Sequence, residues 1–191
     1  PLFKNGSLQK NSEDFWAARA GIGFCKNENF DRGIFSIYFF NLVHLKMGQG
    51  IFQPAGLPHA YLEGQNVEVM ANSDNVLRAG LTDKHIDTNE LMKNIVFSAT
   101  RPEILHGYGD DSDRIYSAPA EEFEIHEHRF KEREKISFTC SSGESLFAMD
   151  GLIEISTDHN SEIIGRGEAL FVCAAENIIV MSKKDSLLFR V

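Results

Sequence analysis

Gly48-Gln-Gly-Ile-Phe-Gln-Pro-Ala-Gly-Leu-Pro-His59 begins the segment on which the reading of this chain turns, and it runs on through Tyr61, Glu68 and Arg78 to Thr82. From Gln53 to Thr82 polar, glycine and proline positions are dense, as in loops and strand ends that build a site on a rigid scaffold. The segment holds one potential metal ligand, His59, and one well-placed cation, Arg78. A lone histidine cannot hold a catalytic metal, because such a site takes three protein ligands and keeps one open position.

Upstream of it, Gly33 opens the aromatic, β-branched run Ile34 to Leu45, which predicts a well-buried strand ending at the turn Lys46 to Gly50. Val67 to Met70 predicts another short strand. Ser12 is an N-cap candidate ahead of Glu13 and Asp14, so a short helix is expected over 12–20, ended by Gly21 and Gly23. Asp87 to Ile95 predicts a second short helix capped by Asp87 or Thr88.

Downstream, Arg101 to Pro119 is polar and is the best linker candidate. From Glu121 onward the chain alternates strand and turn. The clearest strands are 123–130, 135–140, 145–149, 152–157, 169–173 and 178–181. Turns at Ser142-Gly143, Asp150-Gly151, His159-Asn160 and Gly165-Arg-Gly167 fall at the short spacing of a β-sandwich or barrel.

A net charge of −9 and a pI near 5.2 argue against nucleic acid as a partner, since phosphate contacts need clustered Lys and Arg. No run of about 18 apolar residues occurs, so no membrane span is expected. Cys25, Cys140 and Cys173 are odd in number, widely spaced and without a Cys-x-x-Cys pair, so neither a disulfide framework nor a thiolate zinc site is supported. Cys140 and Cys173 sit in apolar runs and are read as buried thiols; a reducing cytoplasm fits best.

Gly48, Pro54, Gly56 and His59 follow the spacing Gly-x5-Pro-x-Gly-x2-His, which resembles the second sequence motif of the cupins, small jelly-roll β-barrels. In that motif a Pro-Gly turn joins two adjacent barrel strands and the histidine opening the second points inward. Glu63 stands where the motif often has asparagine. Pro58-His-Ala-Tyr61, then Glu68-Val-Met-Ala-Asn-Ser-Asp-Asn-Val-Leu-Arg-Ala-Gly-Leu-Thr82 and Lys84, resembles type I phosphomannose isomerase, from about Gly33 to about Ile95. Asp83 replaces a proline common in that family.

The resemblance implies a zinc-dependent aldose–ketose isomerase of carbohydrate metabolism that interconverts mannose 6-phosphate and fructose 6-phosphate. It makes His59 a zinc ligand, Arg78 the catalytic cation, and Tyr61, Glu68 and Lys84 substrate-binding residues. The chemistry suits these residue types. A proton moves between adjacent carbons through an enediol, and the oxygen charge that develops needs a metal or a guanidinium. The plainer readings are a surface histidine at 59 and an Arg78 that pairs with Asp74 or Glu68.

In the same family the other zinc ligands lie upstream, in a Gln-x-His pair and a later Glu, and no Gln-x-His occurs before His59. That absence, with Pro1 in place of an initiator Met, suggests the C-terminal portion of a longer protein whose missing N-terminal part supplies those ligands. On that view the portion is inactive alone. His126-Glu-His128 followed by Glu132 matches the centre of the first cupin motif but lacks its flanking glycines. With Phe123 and Ile125 as the core face, both histidines are expected on the opposite side and without metal.

The expected organisation is mainly β: cupin domains with a few short helices. Residues 1–97 form the C-terminal part of a catalytic cupin with a helical lead-in, 98–120 a crossover, and 121–191 a degenerate cupin. The alternatives are a non-catalytic sugar-binding cupin, and a small metallo-cupin using His59 with His126 and His128.

Overall fold

The computed structural model describes residues 6–25, 29–73, 75–110 and 112–191. The chain divides into two compact units. The first comprises Pro1–Met47, Ile51–Val67 and Asn72–Ile104; the second comprises Gly48–Gly50, Glu68–Ala71 and Leu105–Val191.

Local capping shapes the first unit. Helix α1 (Glu13–Phe24) starts where the Ser12 side chain accepts from the Asp14 N–H, with Glu13 and Asp14 at the positive end of the helix dipole. It passes through Gly21 and Gly23, which the sequence reading took as its end. Helix α3 (Thr88–Asn94) is capped by Asp87, whose carboxylate accepts from the Glu90 N–H at 2.9 Å. Between them the run read as a buried strand is instead a 3-10 turn, Arg32–Phe35, followed by the one-turn helix α2 (Ser36–Phe39). The reason is local: Asp31 accepts from the Gly33 N–H at 2.7 Å, and the Ser36 hydroxyl donates to the Gly33 carbonyl at 2.6 Å. Such side-chain bonds offer the backbone an alternative to a ladder. The run is also not buried, with Phe35 63% and Phe39 83% exposed. Val67 to Met70 likewise forms no strand.

Asp31 also ties this unit across its sequence, since its second oxygen accepts from the Leu81 N–H at 3.1 Å. A side chain at Gly33 would meet Gly80 Cα at 3.1 Å, so glycine permits that backbone crossing. Trp16 is the one buried apolar side chain among the described residues of this unit, and its indole N–H donates to the Lys10 carbonyl at 2.8 Å.

Strands β1 (Gly50–Ile51) and β2 (Ile104–Leu105) form a two-residue ladder. The second unit is built from β3 (Tyr108–Gly109), β4 (Arg114–Tyr116), β5 (Ile125–Phe130), β6 (Lys135–Thr139), β7 (Glu144–Asp150), β8 (Leu152–Ser156), β9 (Ser161–Gly165), β10 (Ala169–Val172), β11 (Asn177–Ser182) and β12 (Ser186–Arg190). A six-stranded sheet has the order β10-β7-β12-β5-β4-β3 and a four-stranded sheet the order β6-β11-β8-β9. Their strand pairs are antiparallel.

Period-two alternation turns one face of each strand inward. Leu146 and Ala148 on β7, Leu188 on β12 and Phe130 on β5 meet Ile153 and Ile155 on β8, with Ile178 and Val180 on β11, in one buried cluster. The same alternation corrects the reading of Cys173. Val172 takes the last inward position of β10, so Cys173 is exposed, while Cys140 is buried. Gly151, between β7 and β8, has φ of 97°, and a Cβ there would come 2.0 Å from Ser186 Oγ. Only glycine fits that turn. Among the described residues no helix is long and apolar enough to cross a membrane.

Candidate functional site

The Pro-Gly turn forms, but among the described residues no strand follows it directly, and His59 is exposed rather than turned inward. The Leu57 N–H donates to the Pro54 carbonyl at 3.2 Å, and Gly56 takes a left-handed φ of 76°. A Cβ at Gly56 would lie 2.8 Å from the Asn94 carbonyl. This turn presents His59, whose Nδ1 lies 3.0 Å from the Leu57 carbonyl. A carbonyl only accepts, so Nδ1 carries a hydrogen; in the neutral ring the lone pair then sits on Nε2, the tautomer a metal-binding histidine uses. Tyr61 stands edge-on to that ring at 6.0 Å between centroids.

His59, Tyr61, Arg78 and Lys84 are all exposed and all belong to the first unit; Glu68, also exposed, belongs to the second. The pairing of Arg78 with Asp74 lies outside the described residues. The Lys84 N–H is held by Thr82 Oγ1 at 3.1 Å, which orders the turn carrying that lysine. Glu63, the departure from the motif's asparagine, accepts from Lys10 Nζ at 2.6 Å and Arg19 Nη1 at 3.1 Å. The Lys10 ammonium holds its carboxyl below the ordinary range. Among the described residues no further ligand groups join His59 in a set of three. Among the described residues, His59 and its surroundings therefore do not make a zinc site by themselves.

A second cluster arises in the other unit. Asp110 Oδ1 accepts from the Ser112 N–H at 2.7 Å and the Asp113 N–H at 3.1 Å, a tight turn leading into β4. Pairing of β4 with β5 sets Ile115 opposite His126 and Arg114 opposite Glu127. Asp113 thereby reaches the histidines: its Oδ1 is 2.9 Å from His126 Nδ1 and 3.7 Å from His128 Nδ1. The imidazoles stack at 5.9 Å, and His128 stacks in turn on Phe130 at 6.0 Å.

This overturns the expected facing of β5. His128 is 2% exposed and shares its face with the core residue Phe130. Burial holds the His128 ring below its ordinary pKa, against the opposing pull of the Ser112 carbonyl and Asp113. On the opposite face of β5, Glu127 is buried, with Oε1 2.5 Å from Arg129 Nη2 and Oε2 2.8 Å from the Tyr116 hydroxyl.

The two packed antiparallel sheets, with their crossing strand order, define a cupin fold: mainly β, with short helices confined to the first unit. No family model matches the chain. Curated relatives do. Mannose-6-phosphate isomerase 1 of Arabidopsis thaliana is 38% identical over 167 residues, covering 84% of this chain and 38% of that protein. Mannose-6-phosphate isomerase of Escherichia coli is 35% identical over 153 residues, covering 79% of this chain and 39% of that protein.

Solved structures agree. A variant of phosphomannose isomerase from Salmonella typhimurium superposes with a TM-score of 0.77 at 29% identity, covering 99% of this chain and 48% of that chain. Mannose 6-phosphate isomerase from the same organism, bound to substrate and zinc, gives 0.70 at 28% identity, covering 93% of this chain and 48% of that one. Over most of its length the chain is similar to mannose-6-phosphate isomerases. It spans about two fifths of the length of the curated relatives it matches.

Proposed function

We propose that this chain is the C-terminal portion of a mannose-6-phosphate isomerase, an aldose–ketose isomerase acting on mannose 6-phosphate and fructose 6-phosphate. The observation that carries this reading is the shared name of the relatives, at 35% and 38% identity over about four fifths of the chain. On this reading 1–97 completes a catalytic cupin, 98–120 crosses over and 121–191 is a second, degenerate cupin. Three free cysteines are in keeping with a reducing cytoplasm.

His59 would be one zinc ligand, with the others supplied by an N-terminal part of the protein. The lone-pair nitrogen opposite its Nδ1–H supports that role. Zinc, when bound, would act there as a Lewis acid toward sugar oxygens. Arg78 would set its planar fork against the enediolate oxygen, and Lys84 a point charge against phosphate. Tyr61 and Glu68 would line the sugar site, Tyr61 from its place against the His59 ring.

The surface of the first unit supports a missing partner segment. Phe30, Phe39, Met47 and Phe97 are each more than 70% exposed. Exposed apolar side chains in this number are in keeping with a further protein surface packing on this unit.

The test is a zinc-loaded protein extended to the relatives' length. It interconverts the two phosphosugars, and Arg78→Ala lowers turnover by about 100-fold or more with zinc content unchanged. Near-normal turnover in that variant defeats the role given to Arg78. The 191-residue chain alone shows no turnover. A non-catalytic sugar-binding cupin would instead bind phosphosugar with no zinc and no conversion by the extended protein.

A further inference from the structure

We propose that Asp113, His126 and His128 form a divalent transition-metal site in the second unit, separate from His59 and independent of the isomerase reading. One donor atom from each lies within 4.8 Å of the others, and no second such group occurs among the described residues. Two imidazoles and a carboxylate are a donor set for zinc, cobalt or iron(II), with positions left open for water or a ligand. Asp113, 44% exposed, gives the cluster a solvent side, while His128 closes the other. Metal–donor bonds of about 2.0–2.2 Å at tetrahedral angles hold donor atoms about 3.3–3.6 Å apart. The Asp113 Oδ1–His126 Nδ1 separation of 2.9 Å falls just short of that range.

The groups behind these side chains are those that orient metal-bound histidines. The Ser112 carbonyl accepts from His128 Nδ1–H at 3.0 Å. That leaves the ring one lone pair, and its buried Nε2 has no hydrogen-bond partner. A buried polar atom left without a partner is costly unless something occupies it. His126 meets a second carboxylate through its other nitrogen, Glu124 Oε1 at 3.1 Å, the carboxylate–histidine pairing that raises ligand basicity. Core packing against Phe130 and the β4–β5 ladder hold both histidines on a strand, and the Asp110 turn fixes Asp113 just ahead of β4.

Cobalt(II) and zinc titrations of the metal-free 191-residue chain decide the matter. The expected result is one equivalent bound by the wild-type chain and equally by His59→Ala. Asp113→Asn and His126→Gln should each weaken binding by about 100-fold, with their far-UV circular dichroism unchanged. Asp113→Asn alters a half-exposed side chain, so it keeps the test open if His126→Gln unfolds. The proposal is overturned if the wild-type chain takes up no stoichiometric metal, or if binding survives both variants and is lost in His59→Ala. Neither result depends on turnover, so the isomerase reading stands or falls separately, on Arg78→Ala.

Discussion

The two units handle their apolar residues in opposite ways. In the second, eleven buried apolar side chains close one cluster between two sheets. In the first, Trp16 alone among the described residues is buried, while Phe30, Phe35 and Phe39 stand open. Both units are rich in aromatic and β-branched residues, so composition does not separate them. What separates them is strand partnership: a ladder satisfies backbone groups and turns alternate side chains onto a common face, and the first unit has almost none.

The contrast breaks most readily at the core. Leu146→Ala should cost about 2–5 kcal/mol, because 146 is fully buried. Phe39→Ala should stay within about 0.5 kcal/mol in this chain. Denaturant unfolding reads both, and equal losses would remove the distinction between the units. In a protein extended to the relatives' length, Phe39→Ala is expected to cost about 3 kcal/mol; no change there would show that nothing covers that face.

Next in size is Gly151→Ala. The left-handed backbone alone costs about 1–3 kcal/mol, before the collision with Ser186 is added. A thermal melt unchanged by this substitution would contradict the tight β7–β8 turn.

The thiols give a kinetic contrast. Burial pushes Cys140 up to about 11, whereas Cys173 is exposed. Iodoacetamide at pH 8 should therefore label Cys173 in the folded chain and reach Cys140 only after unfolding, as peptide mass spectrometry would show.

The smallest effect is electrostatic. Glu63 has a folded pKa below its unfolded value, so its pairing stabilises above the unfolded pKa and fades as pH falls through the folded one. Melting temperatures of wild type and Glu63→Gln should differ slightly near pH 7 and converge in acid. A gap that widens on acidification reverses the sign and rejects the pairing.

Legibility in the sequence follows the same divide. Strands such as Glu144–Asp150 and Asn177–Ser182 were readable because inward apolar residues alternate with outward ones between turns. Ser161–Gly165 and Ser186–Arg190 were harder. The first buries only Ile164, and the second follows a charged turn with no clean alternation. The run at 34–45 misled because its strand-like composition says nothing about whether a neighbouring strand is present, and Asp31 and Ser36 decide the backbone locally instead.

The Pro-Gly turn was legible from spacing alone. Asp113 was not. It meets His126 and His128 through the register of β4 on β5, a relation across strands that no sequence interval expresses. The facing of those histidines was missed because Phe123 lies ahead of β5, where it cannot set the strand's alternation, whereas Phe130 lies within it.

Strand β12 runs between β5 and β7, at the heart of the larger sheet. A ribosome must therefore have made everything from β3 through Ser186–Arg190 before the sandwich can zip shut. Any product stopped short of Ser186 would leave two bare inner edges facing each other, an open invitation to stick to its neighbours.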